Sequence, residues 1–219
     1  MQEKEGAIQK KFELSAAAIV KNLQSRKFDA YYCRTGEEAA EKALSLIPEK
    51  SSVSWGGSVT IHETGLVERL YKTDLKIIDR DKAKTGEERN DMMRTALLCD
   101  VFVTSANAIS EDGVLVHIDG LGNRVAAIAF GPKSVIIIIG MNKVCKTIGD
   151  ARNRARNYAA PVNALRIYKN PPGKTPCSNA GICGDCKSEG CICSYIVETR
   201  MCNPPGRIKI ILVGESLGF

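Results

Sequence analysis

The chain has 219 residues, 44% hydrophobic and 26% charged, enough to bury the core of one ordinary-to-large domain and too apolar for wholesale disorder. Its net charge of +6 is spread along the chain and only 5% of residues are aromatic, which leaves little to stack on bases and gives nucleic-acid binding no support. No apolar run reaches membrane-spanning length and Met1-Gln2-Glu3-Lys4-Glu5 is nothing like a signal peptide, so a cytoplasmic protein that does not enter the membrane is expected.

In chain order, Ile8, Phe12, Ala16, Ile19 and Leu23 recur at intervals of three and four, which predicts a helix from Ala7 to Phe28. Phe28 to Cys33 reads as a strand, and a second helix opens at Thr35-Gly36-Glu37-Glu38 and ends near Ile47-Pro48. Ser51 to Trp55 is the next strand, and it runs straight into Gly56-Gly57-Ser58 before helix-compatible Ile61-His62-Glu63-Thr64. Strand, glycine-rich turn and helix is the order in which backbone N–H groups hold a phosphate or carboxylate, with Ser58 and Thr60 adding hydroxyls. The spacing is that of neither a P-loop nor a dinucleotide fingerprint, so an ordinary tight turn stays an alternative. Beside it, Glu63 is the candidate base or nucleophile, ahead of His62.

Leu75 to Asp79 predicts another strand and Glu87 to Leu98 another helix. From Cys99 to Asn142, Val101 to Thr104 and Val135 to Ile139 read as strands buried on both faces, separated by Ser105-Ala106-Asn107, Glu111-Asp112-Gly113 and Asp119-Gly120-Leu121-Gly122-Asn123. So many polar and glycine positions between core strands suggest the carboxyl edge of a parallel sheet carrying a ligand pocket. His117, in the strand-like Val114 to Ile118, is expected to be structural. Arg152, Arg154 and Arg156 on a helix from Ile148 to Tyr158 are expected to form a solvated face. The helical region continues over Pro161 to Ile167 and breaks at Pro171-Pro172-Gly173. A last strand lies within Gly206 to Glu215, so residues 171–203 form an excursion from a single domain. Strand–helix alternation of this rhythm predicts a mainly parallel sheet with helices on both faces.

Nine cysteines are many for a reducing compartment, and five fall between Cys177 and Cys193, in a stretch with too few large apolar residues to make its own core. That points toward metal binding or redox chemistry.

Trp55-Gly56-Gly57-Ser58-Val59-Thr60 with Glu63 and Gly65, Asp100 to Ile109, Asp119-Gly120 with Gly122 to Ala126, Gly131-Pro132, and Gly140 to Lys143 together resemble the LUD-domain family of lactate-utilisation proteins. The resemblance spans almost the whole chain. It implies a three-layer α/β sandwich like that of the glucosamine-phosphate deaminase, ribose-phosphate isomerase and CoA-transferase superfamily. It further implies a subunit or accessory of a system that oxidises L-lactate beside iron–sulfur partner proteins. By the same likeness Gly56, Gly57, Ser58, Thr60, Ser105, Asn107, Asp119 and Asn123 converge on an anionic ligand. The chain is similar to a branch of the family with a cysteine segment before the last strand, in which Cys177, Cys183, Cys186 and Cys193 are the metal ligands and Cys191 and Cys202 are extras. Four thiolates suit tetrahedral zinc or an iron–sulfur cluster, and the spacing chooses neither. Two readings compete: a stand-alone enzyme acting on a sugar phosphate or acyl-CoA, and a non-catalytic metal-stapled regulatory module. A homo-oligomer is compatible with this reading.

Overall fold

The computed structural model describes residues 2–168 and 173–219. Six strands form an all-parallel sheet: β1 (Asp29–Cys33), β2 (Ser52–Trp55), β3 (Lys76–Ile78), β4 (Val101–Thr104), β7 (Ser134–Gly140) and β10 (Ile208–Val213), in the order β1-β10-β7-β4-β2-β3. Helices cover both faces, making the expected three-layer α/β sandwich. The isoleucine run of β7 shows why its sequence does not alternate. Val135, Ile137 and Ile139 pack on one face against α1 (Gln2–Ser25), while Ile136 and Ile138 pack on the other against α2 (Gly36–Ser45), α3 (Val59–Glu63) and α4 (Leu66–Leu70). A strand buried on both sides has no polar face to display.

Several elements depart from the sequence reading. The first helix stops at Ser25, short of the expected Phe28, because Lys27 adopts φ 66° and turns the chain into β1. α5 (Gly86–Thr95) closes with a 3₁₀ turn at Ala96–Leu98. The region between β4 and β7 is more than turns. It holds β5 (Ala108–Ser110), β6 (Leu115–Asp119) and α6 (Asn123–Ala129), of which only β6 was expected. With β8 (Val144–Cys145) and β9 (Tyr195–Thr199), β5 and β6 form a second, mixed sheet in the order β8-β5-β6-β9. One face of this small sheet joins the α1 core through Ile109 and Leu115. Its other face, Ala108, Val116 and Ile118, packs against alanines of α7 (Ile148–Arg154) and the following turns.

α7 passes through a π turn at Ala155–Ala159 into α8 (Ala160–Ile167). Pro161 has no N–H to give the preceding turn, and the register shift sits immediately before it. The expected break at Pro171-Pro172 lies outside the described residues. Beyond it, α9 (Pro176–Ala180) and a cysteine-bearing loop lead to β9, so the segment adds a strand to the small sheet before the chain returns as β10. Among the described residues, no helix is long and apolar enough to cross a membrane.

Candidate functional site

The carboxyl ends of β2, β4 and β7 open into one cavity of about 680 Å³. Its floor is built from the segments that follow these strands, and α8 and the turn after β6 supply its sides. Seven of the eight residues expected to bind an anion line it: Gly57, Ser58, Thr60, Ser105, Asn107, Asp119 and Asn123. Gly56 sits one step back, where a Cβ would come within 3.0 Å of both Thr104 Oγ1 and Arg124 Cδ.

The two glycines have a role that the loop reading does not contain. A Cβ on Gly57 would stand 2.5 Å from a terminal nitrogen of Arg80. Bare backbone at positions 56 and 57 therefore makes room for the side chains of Arg124 and Arg80. α3 is only five residues long, and the Ser58 hydroxyl makes no cap bond to it. The positive charge at this mouth comes from the arginines rather than from a long helix dipole.

Five cationic side chains, Arg80, Arg89, Arg124, Lys143 and Arg166, line the cavity against two carboxylates, Asp81 and Asp119. Both carboxylates are engaged. Asp81 accepts from Arg89 at 2.7 Å, and Asp119 accepts from the N–H groups of Gly122, Arg124 and Val125 at 3.2 Å each. The Arg80 Nε is buried and has no hydrogen-bond partner among the described residues. Burial, and then the charge of Arg89, lower the proton affinity of the Arg80 guanidinium. Burial also lowers that of Arg124, with Arg80 adding to it and Asp119 opposing. The cavity thus holds more positive charge than its own walls neutralise.

Arg124 ties the pocket together. Its guanidinium donates to Ser105 O at 2.9 Å, Asn107 Oδ1 at 3.0 Å and Ile118 O at 2.6 Å, while Asn107 Oδ1 also accepts from Ile118 N at 2.9 Å. The solvated face expected for the arginines of α7 and the π turn is broken at Arg154. Arg152 pairs with Glu198 on the exposed side, but Arg154 turns inward and donates to Asn107 O at 2.6 Å and Asn142 O at 3.2 Å. One carbonyl stands just before β5 and the other in the 3₁₀ turn after β7, so the half-buried guanidinium bridges the two segments. His117 on β6 is fully buried, both ring nitrogens have no hydrogen-bond partner among the described residues, and burial followed by Arg124 holds it neutral.

Lys143 lies at the bottom of the cavity, 3% exposed, in the 3₁₀ turn after β7. Its Nζ stands 2.8 Å from Thr60 Oγ1, 3.0 Å from Ser105 Oγ and 3.3 Å from Ala106 O. Burial first, then the charges of Arg154 and Arg124, lower its pKa from 10.5 to about 7, with Glu63 opposing. Glu63 itself is exposed and outside the cavity wall, where its carboxylate accepts from Gly218 N at 2.6 Å. His62 is exposed but reaches the cavity. Lys143, Arg80, Arg89, Arg124 and Arg166 were not singled out as ligand residues from the sequence. For Arg80 and Lys143 a signal existed, since each closely follows a strand whose carboxyl end faces the cavity.

The cysteine segment surrounds a second, smaller cavity of about 90 Å³, lined by Cys177, Cys183, Cys186, Cys191 and Cys193 together with Arg156, Thr175 and Ile192. Ile192 lines both cavities. Cys202 stands apart in the α1 core, where its sulfur accepts from Ile208 N at 3.2 Å. Among the described residues, no group of three or more His, Cys, Asp or Glu side chains is placed so as to hold a metal ion. All nine cysteines are unpaired.

The LUD domain family matches residues 16–213. By fold the chain is similar to a DUF162 family protein from Deinococcus radiodurans, with a TM-score of 0.52 at 10% identity over 92% of this chain and 98% of that one. It is also similar to ribose 5-phosphate isomerase A from Methanocaldococcus jannaschii, with a TM-score of 0.40 at 15% identity over 84% of this chain and 95% of that one. Ribose 5-phosphate isomerase A from Neisseria gonorrhoeae gives a TM-score of 0.35 at 19% identity over 60% and 63%. No curated protein matches the chain.

Proposed function

The chain belongs to the LUD-domain family and is a lactate-utilisation-related protein, and from that premise we propose that its larger cavity binds a small anionic substrate for an iron–sulfur L-lactate-oxidising system. The observation that carries the reading is the surplus of cations in the cavity wall, with a buried Arg80 Nε that has no hydrogen-bond partner among the described residues. An unsatisfied buried donor is costly, and a carboxylate accepting from it removes that cost. Calorimetric titration with L-lactate should therefore give saturable binding. Arg80→Met should weaken it about tenfold, the loss of one charge-assisted hydrogen bond worth ~1.5 kcal/mol. Lactamide, the neutral amide of the same shape, should bind worse, and equal binding of lactate and lactamide would sink the proposal.

The cysteine segment is proposed to hold the metal of this system, with Cys177, Cys183, Cys186 and Cys193 as ligands. Support comes from the chemistry of the donor set and from the gathering of these thiols, with Cys191, around one cavity. The side chains as placed are not in ligating positions, so the loop would draw inward around the metal. A bound iron–sulfur cluster would supply one-electron chemistry, while the protein would supply the thiolates and the apolar partition at Ile192. Protein purified without oxygen is expected to carry iron with matching acid-labile sulfide, reduced sharply in Cys183→Ala. Stoichiometric zinc without iron would instead make the segment a structural staple.

A further inference from the structure

Of the polar groups in the larger cavity, few can react. The four guanidiniums stay protonated and serve as neither base nor nucleophile. The two carboxylates are held, Asp119 by three backbone N–H groups and Asp81 by Arg89. Asn107 is an amide with no acid–base role, and its Oδ1 is already engaged, accepting from Ile118 N and Arg124. That leaves His62, exposed at the cavity wall, and, at the bottom of the cavity, the buried amine of Lys143. Its three close oxygens are two hydroxyls and a carbonyl, all uncharged. Among the described residues no carboxylate lies within ion-pair distance of it, whereas Arg124 and Arg154 hold neighbouring positions around Asn107. An amine desolvated among cations, without a counter-ion, is the setting that makes lysine nucleophilic. Its lowered proton affinity, to about 7, is what this setting produces and leaves a large neutral fraction near neutral pH.

We propose that Lys143 forms an imine with the carbonyl carbon of a small anionic oxo compound held by the cavity arginines. The inference rests on the anion-binding reading above and adds the reacting group and the substrate class. A nitrogen lone pair suits an electrophilic carbonyl. The guanidiniums suit a carboxylate or phosphate on the same molecule.

The step is balanced without any oxidant or reductant. The Nζ lone pair attacks the carbonyl carbon, a C–N bond forms, and the carbonyl electron pair moves to oxygen. The two protons of the neutral amine pass to that oxygen, with the Thr60 and Ser105 hydroxyls placed to relay them. The C–O bond breaks, water leaves and a C=N bond remains.

Carboxylate and phosphate are told apart by the probe. The full-length protein is incubated with pyruvate and, separately, with dihydroxyacetone phosphate, then treated with sodium borohydride, which reduces an imine to a stable secondary amine. Intact mass and peptide mapping should show one reduced adduct per chain on the peptide that carries Lys143. The probe that labels identifies the anionic group. Lys143→Met should abolish the adduct, and mapping on the unaltered chain locates it even if that variant fails to fold. No adduct with either probe, or an adduct on another lysine, overturns the imine. Saturable binding of pyruvate by calorimetry without trapping would remove the imine and leave the anion cavity standing, whereas absence of binding would remove both.

Discussion

Replacing Asp119 by alanine is expected to lower the free energy of unfolding by about 3 kcal/mol, read from urea denaturation of the variant beside the unaltered chain. Asp119 and Arg124 face each other with Nε 3.7 Å from the carboxylate, and their side chains are 9% and 14% exposed. Removing the carboxylate leaves a buried guanidinium with no compensating charge and with Arg80 nearby as a second cation. It also strips the acceptor from three N–H groups at the start of α6. The loss has a built-in check. Because the penalty comes from the stranded charge, Asp119→Ala combined with Arg124→Met should cost less than the sum of the two single changes. A loss within 1 kcal/mol, roughly that of an ordinary surface substitution, would show that water reaches this pair freely.

The second large effect is a pH dependence. At low pH the Lys143 amine is charged in both the folded and unfolded states, and the folded state carries the cost of burying it. Above about 7 the folded chain sheds this proton, while the unfolded chain keeps it up to the ordinary 10.5. The unfolded state therefore binds more protons throughout that interval, and stability rises with pH across it before levelling off. Groups facing the amine set the width of that interval: Arg154 and Arg124 widen it by lowering the folded-state pKa, and Glu63 narrows it. Lys143→Met has no such proton to lose. Subtracting its unfolding free energy from that of the unaltered chain, pH by pH, isolates the contribution of the lysine, which should grow by several kcal/mol from neutral to alkaline pH. Parallel curves would mean that the amine is charged in the folded state throughout.

The sequence presented Asp119 as a candidate anion ligand in a polar turn and Lys143 only as part of a family motif, so neither role above was legible there, and the reason is physical. β4, β7 and β10 were legible because burial on both faces makes a continuous apolar run. α2 was legible from the Thr35 cap and its acidic first turn, both of which the structure contains. β5, β8 and β9 were not. They are two to five residues long, and β9 carries exposed Tyr195 and Ile196, so neither length nor alternation marks them. α6 opens on Gly122 in the left-handed region, which in sequence resembles one more loop glycine. The polar turns did point to the cavity. Whether an arginine faces water or turns inward depends on which carbonyls the finished fold brings within its reach, as Arg154 shows. The fit of Gly57 to Arg80 is likewise a contact between segments that only the sheet brings together.

The place of β10 carries a consequence for how this protein is made. It pairs with β1 on one side and β7 on the other, although β1 precedes it in the chain by almost the whole sequence. A ribosome that has released everything through β9 has therefore delivered a sheet with the slot between β1 and β7 empty. The apolar edge of β7 stays unpaired, and β1 has no strand beside it until residues 208–213 emerge. Such an open edge is a template for pairing with other chains. Newly made copies should accordingly depend on chaperone shielding until residues 208–213 have emerged, and truncation just before Ile208 should yield aggregate rather than a smaller folded domain.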